Sequence, residues 1–166
     1  MDDVITLNYH ISPDDFTRAG EASSDVKGKL KQMGVSPDAV RKVAIAMYEG
    51  EINMVIHAKG GEITVNITPE EIEMILADVG PGIPDVELAM QAGYSTAPDE
   101  VRSLGFGAGM GLPNMKKYSD VLEVDTCLLY TSCVPYGLLP RRFPPGSGSV
   151  WSWSRRSAPG RTEGPL

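Results

Sequence analysis

The chain has 166 residues, 42% of them hydrophobic and 22% charged, and a formal net charge of −7. This composition excludes a disordered polymer and suits one domain with a real core. The acidic balance argues against a nucleic-acid partner, and no apolar run nears the roughly 20 residues that a membrane helix needs. The opening, "MDDVITLNYH", is acidic and lacks the basic and apolar regions of a signal peptide. A cytoplasmic location, with no membrane partner, is the expectation.

In chain order, residues 4–11 are rich in β-branched side chains in mixed alternation, which predicts a strand. Ser12, Pro13 and the acids Asp14 and Asp15 form a helix-start signal, so a helix is expected from there to about Met33, ended by Gly34. It is polar, with a thin apolar stripe at Phe16, Ala19, Val26 and Leu30. The same start signal recurs at Ser36-Pro37-Asp38, and a second helix should reach about Ala58, closed by Gly60 and Gly61. Ile63, Val65 and Ile67 alternate with polar neighbours, as do Ile72, Met74 and Leu76. Together they predict an antiparallel hairpin with one apolar face. A short helix is expected over residues 84–93. Residues 94–111 are Gly-rich with no clear period, and a loop of that length in a small domain is usually functional or disordered. A helix over residues 112–119 and a strand over 120–126 follow. The order β-α-α-β-β-α-loop-α-β predicts an α/β protein built as a two-layer sandwich.

Composition changes near Thr126. Residues 127–166 contain five arginines, one acid (Glu163), both cysteines and both tryptophans. Pro, Gly and Ser interrupt this tail throughout, so no regular structure is expected in it. A flexible basic tail that binds an acidic partner is one reading. The other starts from "CLLYTS", residues 127–132, which a transposon-end DNA used in preparing sequencing libraries would encode. On that reading the frame is chimeric beyond Thr126. The expected domain is therefore residues 4–126, with 127–166 a disordered tail.

Three short patterns carry chemistry. The first is Glu49 and Asn53 on the second helix. At about 100° per residue they lie about 40° apart and share a face. Glu51 lies about 160° from both and is expected at a rim or in a polar contact, with no role assigned. An amide oxygen suits Mg²⁺, and a carboxylate one turn away can orient or deprotonate a hydroxyl. Taken singly, E-x-x-x-N is more readily a surface pair. The second pattern is Asp78 with Gly80 and Gly82, at the end of a strand. A buried carboxylate there can accept from an exocyclic amine, although D-x-G also marks a plain turn. The third is Gly105, Gly107, Gly109 and Gly111 before a helix start, where backbone N–H groups and the helix dipole favour an anion. A flexible surface loop has the same composition. The pattern is neither a Rossmann fingerprint nor a P-loop, since no strand directly precedes it and no G-K-[ST] follows.

The series E-x-x-x-N, D-x-G-x-G and G-x-G-x-G, with a lid-length loop before the last, resembles the N, G1 and G2 boxes of the GHKL (histidine-kinase-like) ATPases. Within that superfamily "YEGEINMVIHA" is most similar to the anti-sigma-factor serine/threonine kinases of partner-switching systems. The resemblance implies a mixed, mostly antiparallel sheet with helices on one face, and ATP and Mg²⁺ as cofactors. It implies phosphorylation of a STAS-domain anti-sigma antagonist, a sigma factor as a further partner, and a homodimer. Carried over, Glu49 is the general base and Asn53 the Mg²⁺ ligand. Asp78 accepts from adenine, Gly80 and Gly82 shape the adenine pocket, and Gly105, Gly107, Gly109 and Gly111 wrap the phosphates. Arg102 in the lid is placed to meet the γ-phosphate or else is a solvated loop arginine. Two other functions stay open: a nucleotide-loaded anti-sigma binding module without catalysis, and a detached histidine-kinase catalytic domain. One departure is visible. The family's last strand carries a G-x-G-T element, and "CLLYTS" stands in its place, so that strand is expected to be missing.

Overall fold

The computed structural model describes residues 4–126 and the backbone of residues 149–156. Its elements are β1 (Ile5–Ile11), α1 (Glu21–Gln32), α2 (Pro37–His57), β2 (Gly61–Ile67), β3 (Glu71–Asp78), α3 (Val86–Ala89), α4 (Asp99–Ser103), α5 (Gly111–Tyr118), β4 (Val121–Thr126) and β5 (Ser149–Arg156). The strands form one sheet in the order β1-β2-β3-β5-β4. All four pairings are antiparallel.

Strict alternation decides which side of the sheet is covered. Ile63, Val65 and Ile67 of β2 and Ile72, Met74 and Leu76 of β3 are buried together. They form one core with Val26 and Leu30 of α1, Val43, Met47, Met54 and Val55 of α2, and Met115 of α5. The opposite side is polar. Thr6 donates to Asn66 at 2.9 Å, Asn66 to Glu73 at 3.0 Å and Thr64 to Asn8 at 3.1 Å, across β1, β2 and β3. The chain therefore adopts the expected two-layer α/β sandwich, with its helices on one face. No helix of the described residues is long and apolar enough to cross a membrane.

The two helix-start signals meet different fates. At α2 the signal works as read: the Ser36 hydroxyl accepts from the Ala39 N–H at 3.3 Å, and Pro37 is the first helical residue. The same pattern at Ser12-Pro13 does not start a helix. Asp14 is left-handed (φ 56°), and Asp15 accepts from the Thr17 hydroxyl at 2.6 Å and the Arg18 N–H at 3.3 Å, so the acids close turns. The helix begins only after Gly20, itself left-handed at φ 97°. The predicted loop also differs, because residues 99–103 wind into α4.

The tail supplies a strand that composition did not signal. β5 lies between β3 and β4 and pairs with both, Ser149 opposite Asp78 and Val121 opposite Ser154. Residues 149–156, expected to lack regular structure, form this strand, and its sequence SVWSWSRR carries no G-x-G-T element. Long-range pairing with β3 and β4 overrides local composition there.

Candidate functional site

The site grows from close approaches that glycine permits. Gly50 faces the sheet, and a Cβ there would overlap the Leu76 side chain, so α2 packs tightly on β3. The half-buried Glu49 and Asn53 share a neighbouring face of α2. α5 packs against α2, and Gly111, its first residue, comes to that face. A Cβ on Gly111 would stand 3.2 Å from Asn53 Nδ2, 3.3 Å from Asn53 Oδ1 and 3.4 Å from Glu49 Oε2. The structure thus brings together Glu49, Asn53 and Gly111, which the sequence separates by about 60 residues. No side chain caps α5, so its first N–H groups remain available to an anion.

Asp78 reaches the other end of α2 by register. It continues the Ile72-Met74-Leu76 alternation and is 7% exposed. Gly61 is its partner on β2. The Lys59 N–H donates to the Val79 carbonyl at 2.6 Å, and the Val79 N–H to the Gly60 carbonyl at 3.0 Å. These bonds tie the end of α2 to the end of β3. Gly80 lies where a Cβ would be 3.1 Å from Ala58 Cα and 3.3 Å from Asp78 Oδ1. Asn53 and Ala58 are five residues apart, about 7.5 Å along a helix axis. Gly82 is left-handed at φ 77°, and the next N–H, of Ile83, donates to the Thr126 hydroxyl at 2.6 Å.

The segment between α3 and α5 folds back on itself. The Gly93 N–H donates to the Gly109 carbonyl at 2.9 Å, closing the neck of the loop. Gly109 is left-handed, and a Cβ there would come within 2.5 Å of Gly93 and Tyr94 backbone atoms. Gly107 is left-handed too and leaves no room beside Ala97, while Gly105 (φ 90°) stands in open space. Phe106 packs on Phe16, ring centroids 5.7 Å apart. The exposed Arg102, in α4, donates to the Ser95 carbonyl at 2.9 Å, so its contact is inside the loop.

Two residues with no assigned role turn out to be central. Glu51 is only 2% exposed. Its Oε1 accepts from the N–H groups of Gly20 (2.9 Å) and Ala22 (3.3 Å), and its Oε2 from that of Ser23 (3.1 Å). It caps α1 from another helix, which is how a buried carboxylate is tolerated. Helical geometry separated Glu51 from the Glu49–Asn53 pair but could not name a partner some 30 residues upstream. Asn114 is the other. Its Nδ2 donates to Glu49 Oε1 at 2.7 Å. The only available signal was its i,i+3 relation to Gly111.

Chemically, the site offers a carboxylate, an amide oxygen one turn away, a glycine edge and an uncapped helix start. Among the described residues, no group of three or more His, Cys, Asp or Glu forms a metal cage. The donors present fit a hard cation that keeps most of its ligands as water and phosphate oxygens. The model of the family described as Histidine kinase-like ATPase domain matches residues 13–128. An anti-sigma F factor of Clostridium beijerinckii is 31% identical over 103 residues, 58% of this chain and 68% of that protein. That of Caldanaerobacter subterraneus is 35% identical over 100 residues, 57% of this chain and 66% of that one. That of Priestia megaterium is 28% identical over 107 residues, 60% of this chain and 69% of the relative.

Proposed function

Because this chain belongs to the histidine kinase-like ATPase family, we propose that it is an ATP-dependent protein-serine/threonine kinase of the anti-sigma-factor type. Its substrate is the hydroxyl of a STAS-domain antagonist, and a sigma factor is its second protein partner. The single observation that carries this reading is the meeting of Glu49, Asn53 and Gly111 at one point. A nucleotide-binding module needs the amide and the glycine; a carboxylate poised beside them is what a transfer reaction adds.

Bound Mg·ATP supplies the phosphoryl group and the positive charge that offsets its oxygens. Asn53 presents its amide oxygen to the metal. Gly111 leaves space at the mouth of α5, and the first N–H groups of that helix face the phosphates. Asp78 accepts from the adenine amine at the buried end of the pocket, where Gly80 and Gly82 let the base approach. Gly105, Gly107 and Gly109 let the loop close over the phosphates. Arg102 reaches the γ-phosphate only if it leaves the Ser95 carbonyl. Glu49 accepts the proton of the incoming hydroxyl as the hydroxyl oxygen attacks the γ-phosphorus of ATP, the bond to the β,γ-bridging oxygen breaks and ADP leaves. The closed loop keeps water away, which limits hydrolysis in place of transfer.

The test mixes the full chain with γ-labelled ATP, Mg²⁺ and a STAS-domain protein from the same genome. Label on a serine or threonine supports the proposal. A stable complex without label would make the protein a sequestering module instead, and label on histidine would make it a histidine kinase.

A further inference from the structure

The Asn114 amide, which donates to Glu49 Oε1 at 2.7 Å, is neither base, metal ligand nor part of the glycine edge. We infer that Asn114 is a positioning residue that holds the Glu49 carboxylate in its working orientation. This rests on the reading of Glu49 as the base.

The geometry divides the two carboxylate oxygens. Oε1 takes the Asn114 amide at 2.7 Å, while Oε2 is the oxygen that lies beside Gly111 and, with Asn53, borders the space a Cβ would fill. A glutamate on a helix surface otherwise turns freely about its last torsion, which is broad and nearly two-fold. Tying Oε1 to α5 removes that freedom and leaves Oε2 as the oxygen presented to the pocket. The holder is itself well placed. Asn114 follows Gly111 by three residues, so the side that presents N–H groups at the start of α5 also presents the amide. Its backbone N–H donates to the Met110 carbonyl at 2.9 Å, and Met115 beside it is fully buried. The amide therefore projects from a fixed helix. That helix continues directly from the loop whose neck is closed by Gly93 and Gly109. One hydrogen bond thus connects the nucleotide loop to the group that receives the proton.

The chemistry explains why an amide is suited to the place. A lysine there would neutralise the base. A hydroxyl would have to reach from a shorter side chain. An asparagine donates one directed N–H and adds no charge.

The experiment is a double-mutant cycle on the full chain with the STAS-domain protein as acceptor. Asn114→Leu, near in size but without a donor, should lower kcat about tenfold to a hundredfold. KM for ATP and the affinity for a fluorescent ATP analogue should stay within about threefold, since the nucleotide contacts are untouched. In a Glu49→Gln background Asn114→Leu should cause no further loss, because there is no carboxylate left to aim. A purely structural role would add its loss in both backgrounds. Asn114→Asp, which keeps the shape, should reduce kcat at least as much by setting two carboxylates against each other, and it reports on the same bond if the leucine variant folds poorly. Normal kcat in both variants, with Glu49→Gln inactive, overturns the inference alone. Full activity of Glu49→Gln overturns the reading beneath it.

Discussion

Two glutamates, two residues apart on α2, do opposite work. Glu51 turns inward and is consumed by three backbone N–H groups. Glu49 stays half-buried, with one oxygen tied to Asn114. Glu49→Gln keeps the size and one oxygen that can accept from Asn114, but it cannot take a proton. Phosphotransfer should fall by about 10²-fold or more while nucleotide affinity holds, as read by label transfer and by analogue titration. Gly111 separates function from stability in another way. Its φ is not left-handed, so an alanine meets no backbone strain, and helix propensity favours alanine by up to about 1 kcal/mol. The new methyl would nonetheless press on both polar atoms of the Asn53 amide and on Glu49 Oε2. Gly111→Ala should therefore keep or raise Tm and weaken Mg·ATP binding at least about tenfold. Equal loss of both would mean that Gly111 serves the fold and not the pocket.

At the scale of elements, α1 depends on a cap that its own sequence does not contain. Its N-cap is Gly20, which offers no side chain, and the carboxylate that replaces one comes from α2. Glu51→Ala would leave three N–H groups at a largely buried helix start without an acceptor. Hydrogen bonds to charged groups contribute about 1.5–3 kcal/mol each, and relaxation recovers part of that, so a net loss of about 2–4 kcal/mol is expected in urea unfolding. A loss under about 1 kcal/mol would show that water or a shifted α1 replaces the cap. This arrangement also explains why the start signal at Ser12 misled. Ser-Pro-Asp-Asp is equally a turn-forming run, and local sequence does not reveal that a distant carboxylate starts the helix eight residues later. The loop between α3 and α5 was legible as special because of its glycines. α4 within it was not, since five residues carry too little periodicity to read.

For the whole molecule, β5 is the feature that composition concealed. It lies between β3 and β4, and among the described strands it is the neighbour that holds β4 in the sheet. A chain cut after Thr126 would expose the edges of β3 and β4. We expect it to lose about 10 °C or more in Tm and to elute as larger species, as measured by thermal unfolding and gel filtration. An unchanged Tm and a single monodisperse peak would show that the sheet closes without β5. The remaining tail residues, 127–148 and 157–166, lie outside the described part of the structure. The sandwich, the apolar face of the hairpin and the shared face of Glu49 and Asn53 were legible in the sequence, because each follows from periods of 2.0 or 3.6 residues. Packing across the fold is what brings Gly111 to that face, Asn114 to Glu49, Glu51 to the start of α1 and β5 into the sheet. Those contacts join residues about 20 to 85 positions apart. Their geometry is set by how helices and strands pack, and no local pattern records it.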